Sequence, residues 1–181
     1  MPNNLSHFMV YSGVHFKTCP IEFRELWSQI SNPQAVANAI LKVTNSNIEF
    51  VNIGTCNRYD ICFFGQISKT EIYDIFNELA EKKLPLEQIK KFIQIHFDFN
   101  AQRHLIHVTS SLDSLVLGDQ QIFGQIKSAY TECLNLGFAK KKAHKIFVHN
   151  FRVVKKIRTQ SDRFIDRGYV GYGGYNRLLI V

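Results

Sequence analysis

Two periodicities in the hydrophobic positions divide the first hundred residues into strands and helices. Alternating or β-branched, aromatic-rich runs predict strands over residues 7–16, 47–55, 58–64 and 91–99. Apolar residues three and four apart predict helices over residues 32–45 and 68–83, with a short helix at 85–91. Asn32 and Pro33 suit the start of the first helix, and Ser68 and Glu71 have capping-box spacing at the second. The order strand–helix–strand–strand–helix–strand is typical of a ferredoxin-like split βαβ sheet, so we expect an α+β fold.

The rest of the chain has mostly helical spacing and predicts C-terminal helices added to the sheet. These helices are predicted over residues 101–112, 120–136 and 140–159, with Asn100 capping the first and Gly137 ending the second. The last stretch changes to a Gly/Tyr pattern that contains GYGGYN, in which Asn176 stands where a G-x-G-x-x-G fingerprint has its third glycine. With no strand before it, this stretch is interpreted as a tail and not as a dinucleotide site.

The net charge of +7 is concentrated in the C-terminal part of the chain. Residues 1–139 hold 11 Lys and Arg against 13 Asp and Glu, a balance of −2, whereas residues 140–181 hold 11 against 2, a balance of +9. Such a basic segment suits contact with phosphates, and it equally suits a solvated helix face.

Composition places the protein in the cytoplasm by default. No apolar run approaches the roughly 20 residues of a membrane span, and the start of the sequence resembles neither a secretory signal nor a transit peptide. The four cysteines are therefore expected to be free thiols, and without a C-x-x-C pair they do not predict a zinc site. Three of them, Cys19, Cys62 and Cys133, lie in apolar patterns and are predicted to belong to the core.

Cys56 differs, because it lies in the polar tetrad Thr55-Cys56-Asn57-Arg58 between two predicted strands. A turn gives a side chain exposure and a fixed position, and a guanidinium two residues away favours the nucleophilic thiolate. The same guanidinium offers a bidentate grip on a carboxylate. From these residues alone, a reactive cysteine and a small turn residue both stay open.

Two further groups of polar residues are candidates for a site. His104 and His107 are one helical turn apart but have no predicted third ligand, so a metal site is not favoured. The segment around Gly118 is rich in polar side chains that suit either a pocket or helix caps: Ser110, Ser111, Asp113, Ser114, Asp119, Gln120, Gln121 and Gln125.

Longer motifs resolve these alternatives by resemblance to a known family. The segment TCNRYDIC resembles the T-C-N-R-x-E-[IL]-Y signature of glutamyl-tRNA reductases, and HLIHVTSSLDSLVLGDQQIFGQIKSAY closely resembles the long central block of that family. GVHFKTCPIEFRE is similar to the family's opening motif and RTQS to its linker helix, so the resemblance covers roughly residues 9–161.

The resemblance implies a reaction and a set of residues. Cys56 would attack the ester carbonyl of glutamyl-tRNA(Glu), and NADPH would reduce the thioester to glutamate-1-semialdehyde, the first step of tetrapyrrole (porphyrin, 5-aminolevulinate) synthesis. A thioester accepts hydride better than an oxygen ester, which suits a cysteine nucleophile. His104 would assist in the pocket, and the substrate would be held or lined by Thr55, Asn57, Arg58, Ser114, Asp119, Gln120, Gln121 and Gln125. A homodimer, and contact with the downstream aminomutase, are also implied.

Several positions depart from the family pattern. Phe16 and Cys19 replace its usual His and Ala in the opening motif, and Asp60, Ser111 and Asp119 replace its usual Glu, Gly and Glu. We therefore expect a catalytic domain with the start of a long linker helix over residues 1–160. Residues 161–181 are expected to be an aberrant or disordered tail from a truncated or frame-shifted end, replacing the family's NADPH-binding and dimerisation domains.

A chain of this kind is expected to carry out acyl transfer without completing the reduction. Two other functions stay open. One is a non-catalytic tRNA-binding or regulatory module that uses the basic segment. The other is a cysteine hydrolase, in which His104 or His107 would have to reach Cys56.

Overall fold

Residues 7–30, 32–55, 57–112 and 120–166 are described by a computed structural model, with the backbone alone described at 28–30, 120 and 161–166. Within these ranges the chain forms four strands and seven helices: β1 (Val10–His15), α1 (Ile21–Ile30), α2 (Pro33–Thr44), β2 (Glu49–Thr55), β3 (Arg58–Phe64), α3 (Lys69–Leu79), α4 (Leu86–Phe92), β4 (Gln94–Phe97), α5 (Asp98–Thr109), α6 (Gln120–Asn135) and α7 (Lys141–Asp166). The strands form one antiparallel sheet in the order β2-β3-β1-β4. Strand β3 lies between β1 and β2, which confirms the α+β fold and the ferredoxin-like split βαβ sheet.

The predicted helix starts in the first half of the chain are confirmed in detail. The Asn32 side chain accepts a hydrogen bond of 2.8 Å from the backbone N–H of Ala35, and Pro33 is the first residue of α2. Ser68 and Glu71 form both hydrogen bonds of the capping box at the start of α3. These local signals hold because each needs only residues three positions apart.

Three elements differ from the prediction. Helix α1 is not among the predicted elements; its Trp27 is fully buried, and the indole N–H donates a hydrogen bond of 3.1 Å to the carbonyl of Phe76, so tertiary packing anchors it. Strand β4 is shorter than the predicted 91–99, because Phe92 ends α4. The assignment of Asn100 as an N-cap is wrong: α5 begins at Asp98, whose carboxylate accepts hydrogen bonds from His7 and from the N–H of Phe8.

Helices cover both faces of the sheet and bury one continuous core. On one face, Tyr59 of β3 meets Phe76 of α3 edge to face, and Phe76 also contacts Trp27. On the other face, Phe64 meets Phe147 of α7. Helix α7 continues through Asp166, past the predicted end at residue 159, and the rest of the predicted tail, 167–181, lies outside the described residues.

The directions of α6 and α7 follow from their contacts with β2 and with each other. Near the end of α6, Cys133 Sγ lies 3.2 Å from Asn52 Oδ1, and Phe138, just after the helix, stacks on Phe50, so α6 runs opposite to β2. Tyr130 stacks on Phe147, whereas Phe123 contacts Phe151, so α7 runs opposite to α6. Helix α7 therefore starts beside the first residue of β2 and runs in the direction of β2 toward the β2–β3 turn.

The N-terminus of α7 is capped by Glu49, the first residue of β2. The carboxylate accepts hydrogen bonds from three backbone N–H groups, at 3.0 Å from Lys140, 3.1 Å from Lys142 and 3.0 Å from Ala143. A negative charge at a helix N-terminus also compensates the helix dipole. One distant side chain thus joins the sheet to the last helix.

Replacing Glu49 by alanine is expected to lower the free energy of unfolding by about 1–2 kcal/mol, because the N–H groups at the start of α7 lose their acceptor. The measurement is urea denaturation followed by circular dichroism. Glu132→Ala is the matched control, since this exposed glutamate lies inside α6 and caps no helix. Equal stability of the two variants would show that the cap contributes nothing.

Candidate active site

The turn between β2 and β3 is held in place on both sides of Cys56. Thr55 pairs with Arg58 at the closed end of the hairpin, and the N–H of Asn57 donates to Thr55 Oγ1 at 3.3 Å. The Asn57 carbonyl accepts hydrogen bonds from the N–H of Phe16 at 3.0 Å and from Arg24 Nη1 at 3.2 Å. Cys56 itself lies outside the described residues, but its two neighbours are anchored to different parts of the fold.

A buried charged pair lies directly beyond this turn on β3. Arg58 and Asp60 are each 3% exposed, and Arg58 Nη1 is 3.4 Å from Asp60 Oδ2. The Tyr11 hydroxyl donates a hydrogen bond of 2.7 Å to the same Oδ2. In the β1–β3 register, Arg58 lies opposite His15 and Asp60 opposite Gly13, so all four positions share one face of the sheet.

His104 of α5 joins this cluster through its ring. The imidazole meets the Tyr11 ring edge to face at a centroid distance of 4.7 Å and stacks on His96 of β4 at 4.3 Å. Burial, reinforced by the negative charge of Asp60, raises the pKa of Tyr11 well above its ordinary value, so its hydroxyl stays a donor at neutral pH. Tyr11 thereby links the Arg58–Asp60 pair to His104.

The other three cysteines are unsuited to nucleophilic chemistry. Cys19, Cys62 and Cys133 are buried free thiols, which confirms their predicted place in the core. Burial raises the pKa of Cys19 and of Cys133 to about 11 and raises that of Cys62 well above its ordinary value. Because the thiolate is the reactive form, these three are unreactive at neutral pH.

The predicted polar segment is described only in part. Ser114 and Asp119 lie outside the described residues, and of Gln120 only the backbone is described, as the first residue of α6. Gln121 and Gln125 are exposed on the first two turns of α6. Since α6 runs opposite to β2, these turns lie toward the end of the sheet that holds the Thr55–Arg58 turn.

Sequence reasoning missed several residues of the cluster. Tyr11, Gly13 and His15 alternate along β1 and therefore share a face, and a glycine inside a strand often marks a close approach. The alternation and the glycine are visible in the sequence. That Gly13 lies opposite Asp60 is known only from the strand register of the structure. For His96, the sequence indicates only a place in a predicted strand.

The described residues offer neither a metal-ion cluster nor a membrane-spanning helix. They contain no group of three His, Cys, Asp or Glu side chains arranged to hold a metal ion. No helix within the described ranges has the length and apolar content needed to cross a membrane.

Comparison with known proteins places these observations in a family. The family model described as the glutamyl-tRNA(Glu) reductase N-terminal domain matches residues 12–161. Curated proteins named glutamyl-tRNA reductase are similar: one from Legionella pneumophila is 34% identical over 154 residues, covering 84% of this chain and 35% of its own length. One from Akkermansia muciniphila is 32% identical over 154 residues, covering 84% of this chain and 45% of its own length.

The fold also agrees with a solved structure. A glutamyl-tRNA reductase from Methanopyrus kandleri superposes with a TM-score of 0.66 and 21% identity over 85% of this chain and 35% of that chain. The chain thus spans roughly a third to a half of the length of these relatives. Since the family model covers most of the sequence and the curated matches cover the same part, the chain belongs to the family of glutamyl-tRNA reductase N-terminal domains.

Proposed function

We propose that this chain carries the acyl-transfer chemistry of a glutamyl-tRNA reductase, with Cys56 as the nucleophile. The observation that supports this most is the buried Arg58–Asp60 pair beginning two residues after Cys56, on a face shared with Tyr11 and approached by His104. The high pKa of the three buried thiols removes the other described cysteines from consideration.

In the proposed step, the Cys56 thiolate attacks the carbonyl carbon of the glutamyl ester. A sulfur–carbon bond forms, the ester carbon–oxygen bond breaks, and the terminal hydroxyl of the tRNA leaves after taking up a proton. Nothing is oxidised or reduced in this step. The positive charge of Arg58 favours the thiolate, and an imidazole such as that of His104 is suited to supply the proton.

The remaining predicted residues have roles in holding the substrate. Arg58 and Ser114 would bind the glutamyl moiety, whereas Thr55 and Asn57 shape the turn around Cys56. The side chains lining the pocket beside them would be Asp119, Gln120, Gln121 and Gln125. The start of α6 at Gln120 and the place of Gln121 and Gln125 on its first two turns support this assignment, because that end of α6 lies toward the turn.

NADPH would supply the hydride that reduces the thioester to the semialdehyde in the whole reductase. The described residues do not fit this cofactor: their strands pair only antiparallel, whereas a dinucleotide-binding fold needs adjacent parallel strands and a glycine-rich turn. The acyl transfer at Cys56, next to the described residues Thr55 and Asn57, is therefore the part of the reaction that we assign to this chain. We further propose glutamyl-tRNA(Glu) as the substrate, the cytoplasm as the setting and the downstream aminomutase as a partner, with a homodimer as the state of the full-length reductase.

Mass spectrometry of the chain after exposure to glutamyl-tRNA tests the proposal. We expect a glutamyl adduct on Cys56 that forms without NADPH and is absent from Cys56→Ala. The matched control is Cys19→Ala, which removes another thiol and should retain the adduct. An adduct on a different cysteine, or one that persists in Cys56→Ala, would disprove the assignment.

A binding function without chemistry is the second candidate, and the exposed basic residues of α7 favour it. It predicts that wild type binds tRNA and forms no adduct. Hydrolysis by a Cys–His pair is distinguished in the same experiment, because it would release free glutamate with turnover that also requires His104 or His107.

A further inference from the structure

Helix α7 has a row of cations on the side away from the core, in two groups over residues 141–145 and 152–156. Six exposed side chains form this row, which we call the α7 stripe: Lys141, Lys142, Lys145, Arg152, Lys155 and Lys156. At 3.6 residues per turn they fall within an arc of about 140° and extend along about 22 Å of helix axis. The buried residues Ala143, Phe147, Asn150 and Val154 lie on the opposite side.

Within the described part of the chain, the carboxylate of Glu49 lies at the start of the stripe, where it bonds backbone N–H groups and none of the six charged side chains. Residues 141–160 contain no Asp or Glu, and none of the six cations forms an ion pair with another described residue. Over residues 141–160, the part of α7 whose side chains the structure describes, no large hydrophobic side chain is exposed. A long, charged surface without large exposed hydrophobic side chains suits a polyanion better than a protein partner, whose interfaces have aromatic and apolar centres.

The direction of α7 connects the stripe to the candidate active site. The helix starts beside Glu49 at one end of β2 and runs in the same direction as that strand. Strand β2 covers about 20 Å between Glu49 and Thr55 at about 3.3 Å per residue. Because α7 runs in the direction of β2, Lys155 and Lys156 lie toward the end of the sheet that holds the turn with Thr55 and Asn57.

We propose that the α7 stripe binds the phosphate backbone of the RNA substrate and directs its aminoacylated end to the Cys56 turn. This inference rests on the proposed function. A nucleic-acid duplex carries about one charge per 1.7 Å of axis, so the stripe faces on the order of ten phosphates over its length. Base edges are not read by such contacts, so the stripe contributes affinity and register without sequence selection.

The test compares two variants of equal charge change. The stripe variant carries Lys141→Gln, Lys145→Gln, Arg152→Gln and Lys156→Gln. The control variant carries Lys69→Gln, Lys83→Gln, Lys90→Gln and Lys91→Gln, which are exposed positions on or next to α3 and α4. Affinity for tRNA(Glu) is measured against salt concentration for both variants and wild type.

The stripe variant is expected to bind tRNA on the order of 100-fold more weakly near 0.1 M salt, with a slope of log K against log salt that is shallower by about 3–4. The control variant should keep the wild-type slope. Equal losses in both variants would overturn the proposal, because only net charge would then matter. Unchanged binding by the stripe variant would overturn it as well.

A second measurement, the acylation of Cys56 by an ester without RNA, distinguishes RNA binding by the stripe from the acyl-transfer reaction. Acylation of Cys56 by a small activated ester of glutamate, which has no RNA, should be the same in wild type and stripe variant, whereas acylation by dilute glutamyl-tRNA should fall with the affinity. Loss of both reactions in the stripe variant would overturn the proposal by showing damage to the site. If wild type accepts neither ester, the proposed function fails, and the binding comparison still decides the role of the stripe.

Discussion

Replacement of Asp60 by alanine is expected to lower the free energy of unfolding by about 3–5 kcal/mol, the loss typical of a buried ion pair that is deprived of one partner. Arg58 is 3% exposed, so its guanidinium would lose the neighbouring carboxylate without gaining water. The Tyr11 hydroxyl would lose its acceptor at the same time. Urea denaturation of the variant and wild type measures the difference.

Two further variants separate charge from hydrogen bonding at this position. Asp60→Asn keeps an oxygen that can accept from Tyr11 but leaves Arg58 without the negative charge, so its loss should be smaller than that of Asp60→Ala. Tyr11→Phe removes the hydroxyl alone and should cost about 1 kcal/mol. Tyr130→Phe, which removes a tyrosine hydroxyl bonded to His144 at 2.6 Å, is a control distant from the Arg58–Asp60 pair.

A double variant tests how much the buried charge of Arg58 contributes to the loss of stability. Adding Arg58→Met to Asp60→Ala should recover part of the stability, because the second change removes the buried guanidinium that has lost this carboxylate. A single Asp60→Ala variant that loses less than about 1 kcal/mol would show that the pair contributes little net stability. In the double variant, Cys56 is expected not to be acylated, whether or not stability is recovered. The reason is that the positive charge of Arg58 is proposed to favour the Cys56 thiolate.

Local signals in the sequence were sufficient to predict the sheet and the hairpin that holds Cys56. The strands flanking Thr55 and Asn57 and the capping box at Ser68 depend on neighbours a few residues apart, and the structure has them in place. The start of α5 was predicted wrongly for the opposite reason. Asp98 begins that helix through contacts with His7 and Phe8, about ninety residues away, and no local pattern contains that information.

The sequence predicts individual residues of the candidate site but not the contacts between them. The sequence indicates Arg58 and His104, but their connection passes through Tyr11 and Asp60, which come from different strands. Which residues of β1 and β3 face each other depends on register, and one residue of slip would move Asp60 to the other face. Asp60, which stands where the family usually has Glu, lies opposite Gly13, and this pairing follows only from the register.

Gly13→Ala is expected to destabilise the fold by about 3 kcal/mol or more, at the upper end of overpacking effects. A Cβ atom at this position would overlap Asp60 Oδ1 and the carbonyl oxygen of Tyr59 and would lie 2.7 Å from Asp60 Cα. Two of these three atoms belong to the backbone of β3, which is a central strand and cannot move aside cheaply. The measurement is again urea denaturation.

The matched control is Gly124→Ala, where a Cβ atom would meet nothing within 4 Å on an exposed position of α6. That change should stabilise the protein by about 0.5–1 kcal/mol, because alanine is the better helix former. The loss caused by Gly13→Ala should persist in an Asp60→Ala background, since the overlap with backbone atoms remains after the carboxylate is gone. Disappearance of the loss in that background would mean that Gly13 makes room for the Asp60 side chain alone, and the close approach of β1 and β3 would then not be the reason for a glycine at this position.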